Sequence, residues 1–313
     1  MISYILRRIL ATVPVLLVVG LFVFSLLYLT PGDPAMVIAG DTATPEDIAK
    51  IRASLGLDEP FLQRLGGWLW RVAQGDFGVS IFSNLPVHVM IAQRIEPTLS
   101  LALTTLAITV TLALPMGIFA ALKASTTVDR VIMGFAVLGF SVPVFVIGYL
   151  LILFFSVKLQ WLPVQGFVSI SQDPWTFLRH IILPSFTLAI VFIALIARIV
   201  RSSMLEVLSK DYIRTAKSKG LSMYSVVTSH ALKNAAVPIV TIIGVGIGAL
   251  ITGVVVTETV FAIPGLGRLV VDAILKRDYP VIQGVILVFS FFYVMVNLLV
   301  DISYTFFDPR IKY

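Results

Sequence analysis

The sequence predicts an all-α polytopic membrane protein with six transmembrane helices, and three observations carry that prediction. Only 13% of the 313 residues are charged and 58% are hydrophobic, whereas a soluble domain carries about a quarter charged residues. Mean hydropathy is +1.00. Six stretches without Asp, Glu, Lys or Arg reach or approach the ~20 residues that cross ~30 Å of hydrocarbon. So few charges cannot clothe a soluble enzyme, and the apolar content excludes a disordered chain. With no cysteine, the chain has no disulfide framework, thiolate nucleophile or Cys-type metal site.

The spans are 9–32, 98–122, 131–157, 181–197, 234–257 and 279–300. The first follows Arg7 and Arg8, as a signal peptide would. Its apolar run from Ile9 to Leu29 exceeds the ~7–15 residues of a signal core, and no small-x-small cleavage site follows. It reads as a retained span. The uncharged stretch 77–93 is too polar to cross, holding Ser80, Ser83, Asn84, His88 and Gln93. It reads as extramembrane, with a short amphipathic helix starting near Pro86. An even number of spans puts both termini on one side. With the N-terminus inside, the inner segments hold 13 Lys and Arg in 61 residues and the outer ones 10 in 110. Acids lean the other way. The orientation is therefore N-in and C-in, and the net charge of +6 is topology rather than affinity for nucleic acid.

These spans divide the chain into 1–30, an external subdomain over 31–97, and a core over 98–313 containing a cytoplasmic loop at 202–234 between helices 4 and 5. In the external part, Thr44 caps a helix with Pro45 at its first position and Glu46 and Asp47 in its first turn. Gly56 should stop it. A second helix over 60–73 carries Phe61, Leu65, Trp68, Leu69 and Val72 on one face. That stripe either packs on the spans or docks an external partner, and amphipathic stripes favour packing. Trp161 and Trp175 are expected as interfacial anchors.

Within the membrane, Gly244, Gly248 and Thr252 recur every four residues, with Gly246 and Gly253 beside them, so the fifth span should approach a neighbour closely. Pro14, Pro115, Pro143 and Pro184 can kink their helices. Glu258 and Asp301 are the acids nearest the apolar runs, and an ionisable group at membrane depth is a functional candidate. Glu258 is expected at the external mouth of a path, Asp301 in a structural role. No Gly-x4-Gly-Lys-Ser/Thr or His-Glu-x2-His occurs, and His88, His180 and His230 are scattered. No catalytic set, metal site or bound cofactor is expected.

The segment 198–234 carries seven basic residues. Ser209 or Asp211 should cap a short helix running through Lys219, with Lys217 and Lys219 favouring its C-terminal dipole and Gly220 ending it. Ser222 should cap a second helix that enters the fifth span near Pro238. On these residues alone, the loop is either a positive-inside anchor or a helix built to be pushed by a partner.

The run Asp211-Tyr212-Ile213-Arg214-Thr215-Ala216-Lys217-Ser218-Lys219-Gly220-Leu221, followed by His230-Ala231-Leu232-Lys233-Asn234-Ala235, resembles the EAA loop of ABC-importer permeases in their dipeptide/oligopeptide branch. Arg214-Thr215-Ala216 stands where the generic motif has Glu-Ala-Ala, a departure typical of that branch. Further segments agree in order and spacing: Pro31-Gly32-Asp33-Pro34, Gly75-Asp76-Phe77-Gly78-Val79-Ser80, Glu258-Thr259-Val260-Phe261, Pro264-Gly265-Leu266-Gly267-Arg268 and Asp308-Pro309-Arg310. The resemblance implies a multi-pass permease subunit of a bacterial-type inner membrane. It would belong to an ATP-driven, binding-protein-dependent importer of small peptides or related solutes that works by alternating access. It also implies a second homologous permease, two cytoplasmic ABC ATPases that hold ATP and Mg, and an external solute-binding protein. Carried over residue by residue, Asp211, Tyr212, Arg214, Thr215, Ala216, Lys219 and Gly220 form the ATPase-coupling surface. Two other classes remain. A secondary transporter would need charges near the midplane and broken inverted repeats, and no span has a central charge. A membrane-anchored interaction protein would use 31–97 without transport.

Overall fold

The computed structural model describes residues 2–29, 34–40, 43–54 and 56–307. The segments Pro31-Gly32-Asp33 and Asp308-Pro309-Arg310 lie outside the described residues. Among the described residues the regular structure is helical, apart from one isolated bridge between Val79 and Pro86. The helices are α1 (Ile2–Leu29), α2 (Pro34–Ala39), α3 (Pro45–Ser54), α4 (Phe61–Ala73), α5 (Val87–Leu122), α6 (Thr127–Ser141), α7 (Val144–Leu151), α8 (Pro174–Leu208), α9 (Asp211–Ser218), α10 (Met223–Ser225), α11 (Leu232–Val260), α12 (Leu266–Lys276) and α13 (Tyr279–Phe307). A π-helical segment, Ile152–Lys158, extends α7, and another, Val226–Ala231, joins α10 to α11.

Five helical stretches are long and apolar enough to cross a membrane. The expected third span, 131–157, is not one rod. It is broken into α6 and the α7 unit, which meet at 104°. Val142 precedes proline and takes ψ 128°, and Pro143 takes ψ 138°. A residue before proline is pushed out of the helical region by the pyrrolidine ring, and here Pro143 lies in the extended region too. Two consecutive extended residues turn a kink into a corner. The short helix expected near Pro86 is a second correction. It forms the first turns of α5, which runs unbroken for 36 residues through Pro97 and Pro115. At ~1.5 Å per residue such a helix is about 54 Å long, well beyond the ~30 Å hydrocarbon core. Its polar first turns therefore stand outside the membrane without needing a break.

The described chain forms two compact units. Of the described residues, one unit comprises 96–267 with 295–307 and the start of α1; the other comprises those between 6 and 95 with 268–294. The first unit is organised on α8, of which 67% of the most apolar window is buried, against 33% or less in the other full spans. Glycines from four helices meet it. Gly117 of α5 lies so close that an added Cβ would sit 2.6 Å from Val200 and 2.7 Å from the Ala197 carbonyl. Gly139 of α6 faces Ile190, Gly148 of α7 faces Thr187, and Gly253 of α11 faces Leu188. Small residues allow such approach where no hydrophobic effect drives helices together. Gly117→Ala is accordingly expected to cost about 1–3 kcal/mol, since the obstacle includes backbone. Thermal unfolding in detergent checks this, and an unchanged midpoint would show that the contact yields. The predicted stripe on α11 divides. Gly244 closes on α13, its virtual Cβ 2.5 Å from Val300. Gly248 is half-buried and Thr252 exposed.

In the second unit, the stripe on α4 packs on α1. The ring of Phe24 lies 5.5 Å from Phe61 and 5.3 Å from Trp68, with the Arg64 guanidinium 5.5 Å over its face. Trp70 and Leu62 point outward. Before α3, Thr44 and Asp47 bond reciprocally: the Asp47 amide donates to the Thr44 hydroxyl at 3.3 Å, and that hydroxyl donates to the carboxylate at 2.7 Å. The hydroxyl holds the Asp47 carboxyl below its ordinary range. Gly56, at φ 61°, follows the helix as expected. Ser80, almost fully buried, donates to Asp278 at 2.5 Å, and the Ile81 amide adds a 3.3 Å bond. That pair pins the 78–86 turn to the start of α13.

Candidate functional site

The loop between α8 and α11 is a two-faced shelf. In α9, Ile213 is fully buried and Ala216 7% exposed, and both join the cluster of Ile196, Val200, Met204 and Val226. Asp211, Tyr212, Arg214, Thr215, Lys217 and Lys219 are exposed. An eight-residue helix is marginal alone, so this apolar seam fixes it to the chain. The shelf thus brings Asp211, Tyr212, Arg214, Thr215, Lys219 and Gly220 to one surface and turns Ala216 toward its own interior.

The expected caps need one correction. Lys210, not Ser209 or Asp211, takes the N-cap position of α9, without a side-chain cap bond. Ser209 instead ends α8 and donates to the Glu206 carbonyl at 2.7 Å. The long helix α8 runs on to Leu208, which leaves only Ser209 and Lys210 for the corner. At the other end, Gly220 takes φ 78°. Its amide donates to the Lys217 carbonyl at 3.0 Å, and the Leu221 amide to Ala216 at 3.4 Å. This pair of bonds is the Schellman ending, which needs a left-handed residue where Gly220 sits. Ser222 caps α10 as expected, accepting from the Ser225 amide at 3.3 Å. The exposed pairs Arg214–Asp211 at 3.7 Å and Lys210–Glu206 at 3.3 Å contribute little to stability.

Sequence reasoning missed the apolar half of this surface. Tyr224 is 80% exposed, and Met223 and Leu221 of the same run are also exposed, as is Tyr212 of α9. Three large exposed apolar side chains within four positions give a partner apolar surface to cover. Their signal was a Leu-Ser-Met-Tyr run directly after the glycine stop. Sequence reasoning also missed the bond between Asp129 and Arg201. The guanidinium Nε and Nη2 lie 2.6 and 2.7 Å from the two carboxylate oxygens, and Asp129 is 4% exposed. The Ser125 amide adds a 2.9 Å bond. Seventy-two positions separate the partners, so no local pattern announces them.

Glu258 is fully enclosed. Thr98 donates to Oε1 at 2.6 Å while accepting from the Leu266 amide at 2.8 Å. A Cβ on Gly265 would fall on the carboxylate itself, and one on Gly267 would lie 2.9 Å from Oε2. The two glycines let the 263–267 turn wrap the side chain. In this chain the acid organises the turn between α11 and α12 rather than lining an open mouth.

A family model described as binding-protein-dependent transport system inner membrane component matches residues 113–313, and the N-terminal model of the same systems matches 1–102. The chain belongs to this permease family. It is a multi-pass inner-membrane permease of a binding-protein-dependent importer. The permease is 53% identical over 310 residues to the Sinorhizobium fredii protein named "Probable peptide ABC transporter permease protein y4tP", covering 99% of each chain. It is 45% identical over 313 residues, with full coverage of both, to "Glutathione transport system permease protein GsiC" of Salmonella typhi. Its fold is that of a subunit in the inward-facing MetNI methionine ABC transporter. That match has a TM-score of 0.59 and 15% identity, covering 70% of this permease and 97% of that chain. The share of the solved subunit that is covered shows that nearly all of it is contained in this larger chain.

Proposed function

We propose that this permease imports small peptides, glutathione-like peptides among them, as one of two homologous membrane subunits. An external binding protein delivers the cargo, and two cytoplasmic ATPases supply the work. The termini and the 202–234 loop face the cytoplasm, and 31–97 faces outward. The observation that carries this reading is the α9 shelf: a short helix fixed on one side and presenting Tyr212, Arg214 and Lys219 on the other. A partner that binds such a shelf can pull on α8 and α11 through Ile213 and Ala216. Alternating access then follows from any ATP-dependent difference in how tightly the partner holds the shelf in the two states. The peptide class rests on the peptide and glutathione transport named for the two relatives.

The test is purification of the tagged permease from its native membrane, followed by dipeptide and glutathione uptake in reconstituted vesicles. Co-elution of a second permease and an ATPase, with uptake requiring both ATP and a binding protein, is the expected result. A permease that elutes alone and moves peptide on an ion gradient would establish a secondary transporter instead. Elution with external partners and no uptake would establish an interaction protein.

A further inference from the structure

Gly117 draws α5 onto α8, and Gly139 draws α6 onto the same helix. Each is anchored to α8 rather than to the other, and a groove of about 500 Å³ remains between them. Pro115, Met116 and Phe119 of α5 form one wall, Val128 and Ile132 of α6 the other, and Lys123 stands at the end where the two helices connect. The volume lies in the range of small-molecule sites, about 300–1,000 Å³. Phe119 is 59% exposed and Val128 49%, so this chain leaves the groove open along its side.

The charges at the connecting end are uneven. The Lys123 ammonium has no ion-pair or hydrogen-bond partner among the described residues. Arg130 lies two positions from both Val128 and Ile132 and so stands on the face of α6 away from the groove, where it donates to the Ser125 carbonyl at 3.5 Å. The acid of this connection, Asp129, is buried and held by both arms of Arg201. The mouth therefore carries the unpaired positive charge of Lys123 above an apolar channel in the wall of a membrane protein.

We propose that this groove binds an anionic phospholipid, one acyl chain lying between α5 and α6 and the headgroup phosphate meeting Lys123. The dimensions favour a chain over a helix. One turn of helix, ~10 Å wide and ~5.4 Å in pitch, occupies about 400 Å³, so the groove would take little more than a single turn of a protein partner. Basic pockets between spans on the cytoplasmic side are suited to anionic headgroups. The leaflet is cytoplasmic in the orientation proposed above, but the chemistry at the groove does not depend on that assignment.

The test uses the assembled complex in its native membrane, with benzoylphenylalanine placed at Ile132 and, as a control, at the exposed Leu138 of the same helix. After irradiation, mass spectrometry identifies each adduct. Anionic glycerophospholipid is expected to be enriched about fivefold over its bulk share at Ile132, the selectivity one lysine brings at an anionic surface. Bulk composition is expected at Leu138. Lys123→Gln should return the Ile132 adducts to bulk composition while leaving the Leu138 adducts unchanged. Three outcomes overturn the proposal: adducts to protein at Ile132, adducts of bulk composition there, or enrichment that survives Lys123→Gln. Each is distinct from a failure of the import reading, which is decided by transport.

Discussion

Gly220→Pro is expected to reduce peptide uptake at least tenfold while the permease still inserts in the membrane. A Cβ at this position would meet nothing within 4 Å, so the effect is one of backbone and not of crowding. Proline is confined to φ near −65°, whereas Gly220 sits at 78° and donates its amide to Lys217. Both bonds of the helix ending are lost, at a local cost of about 3 kcal/mol. The chain then leaves α9 in a different direction, and the exposed side chains of Leu221, Met223 and Tyr224 move with it. Gly220→Ala keeps the amide and pays only the ~1–2 kcal/mol of a left-handed alanine, so partial uptake is expected. Uptake of labelled dipeptide, paired with recovery of the ATPase from the purified complex, reads both effects. Wild-type uptake by Gly220→Pro would remove α9 from the coupling role.

Arg201→Ala should destabilise the end of the first unit where α6 begins more than any surface change on the shelf. Asp129 is 4% exposed and receives both guanidinium bonds. Removing one partner of a buried pair leaves a charge without solvent or counter-ion, at about 3–5 kcal/mol. The Arg201 side chain is 28% exposed, so water can partly replace it and about 3 kcal/mol is the expected loss. Converting both residues, Asp129→Leu with Arg201→Met, should recover most of it, because an apolar pair of similar volume avoids the desolvation cost. Thermal unfolding in nanodiscs measures all three proteins. Equal midpoints for Arg201→Ala and wild type would show that the bond carries no net stability.

How much was legible in the sequence can be read from particular residues. The ending at Gly220, the cap at Ser222 and the stripe of α4 are local patterns, fixed by residues within one or two turns of each other, and they stand where the sequence placed them. The run 131–157 was apolar enough to cross, yet periodicity and composition do not register direction. Two extended residues at Val142 and Pro143 turned it through 104°. Likewise, the polar residues after Ser80 hid the start of α5, because a helix longer than the membrane is thick can begin in water. The glycines were only half legible. Gly244 was found because it sits in a four-residue repeat, while Gly117, Gly139 and Gly148 are single and became recognisable only when α8 was seen to press on them.

The sequence by itself determined that this chain lives in a membrane, approximately where it crosses, and which segment holds the exposed helix that resembles an ATPase-docking loop. Those properties depend on hydropathy and on short-range backbone chemistry, which neighbouring residues settle between themselves. Tertiary structure alone decided that Ala216 faces inward, that Glu258 is wrapped by Gly265 and Gly267, and that Asp129 neutralises Arg201. Each of those depends on which atoms lie within about 3 Å across tens or hundreds of residues, where hydrogen bonding and close packing act, and that is a distance no linear pattern encodes.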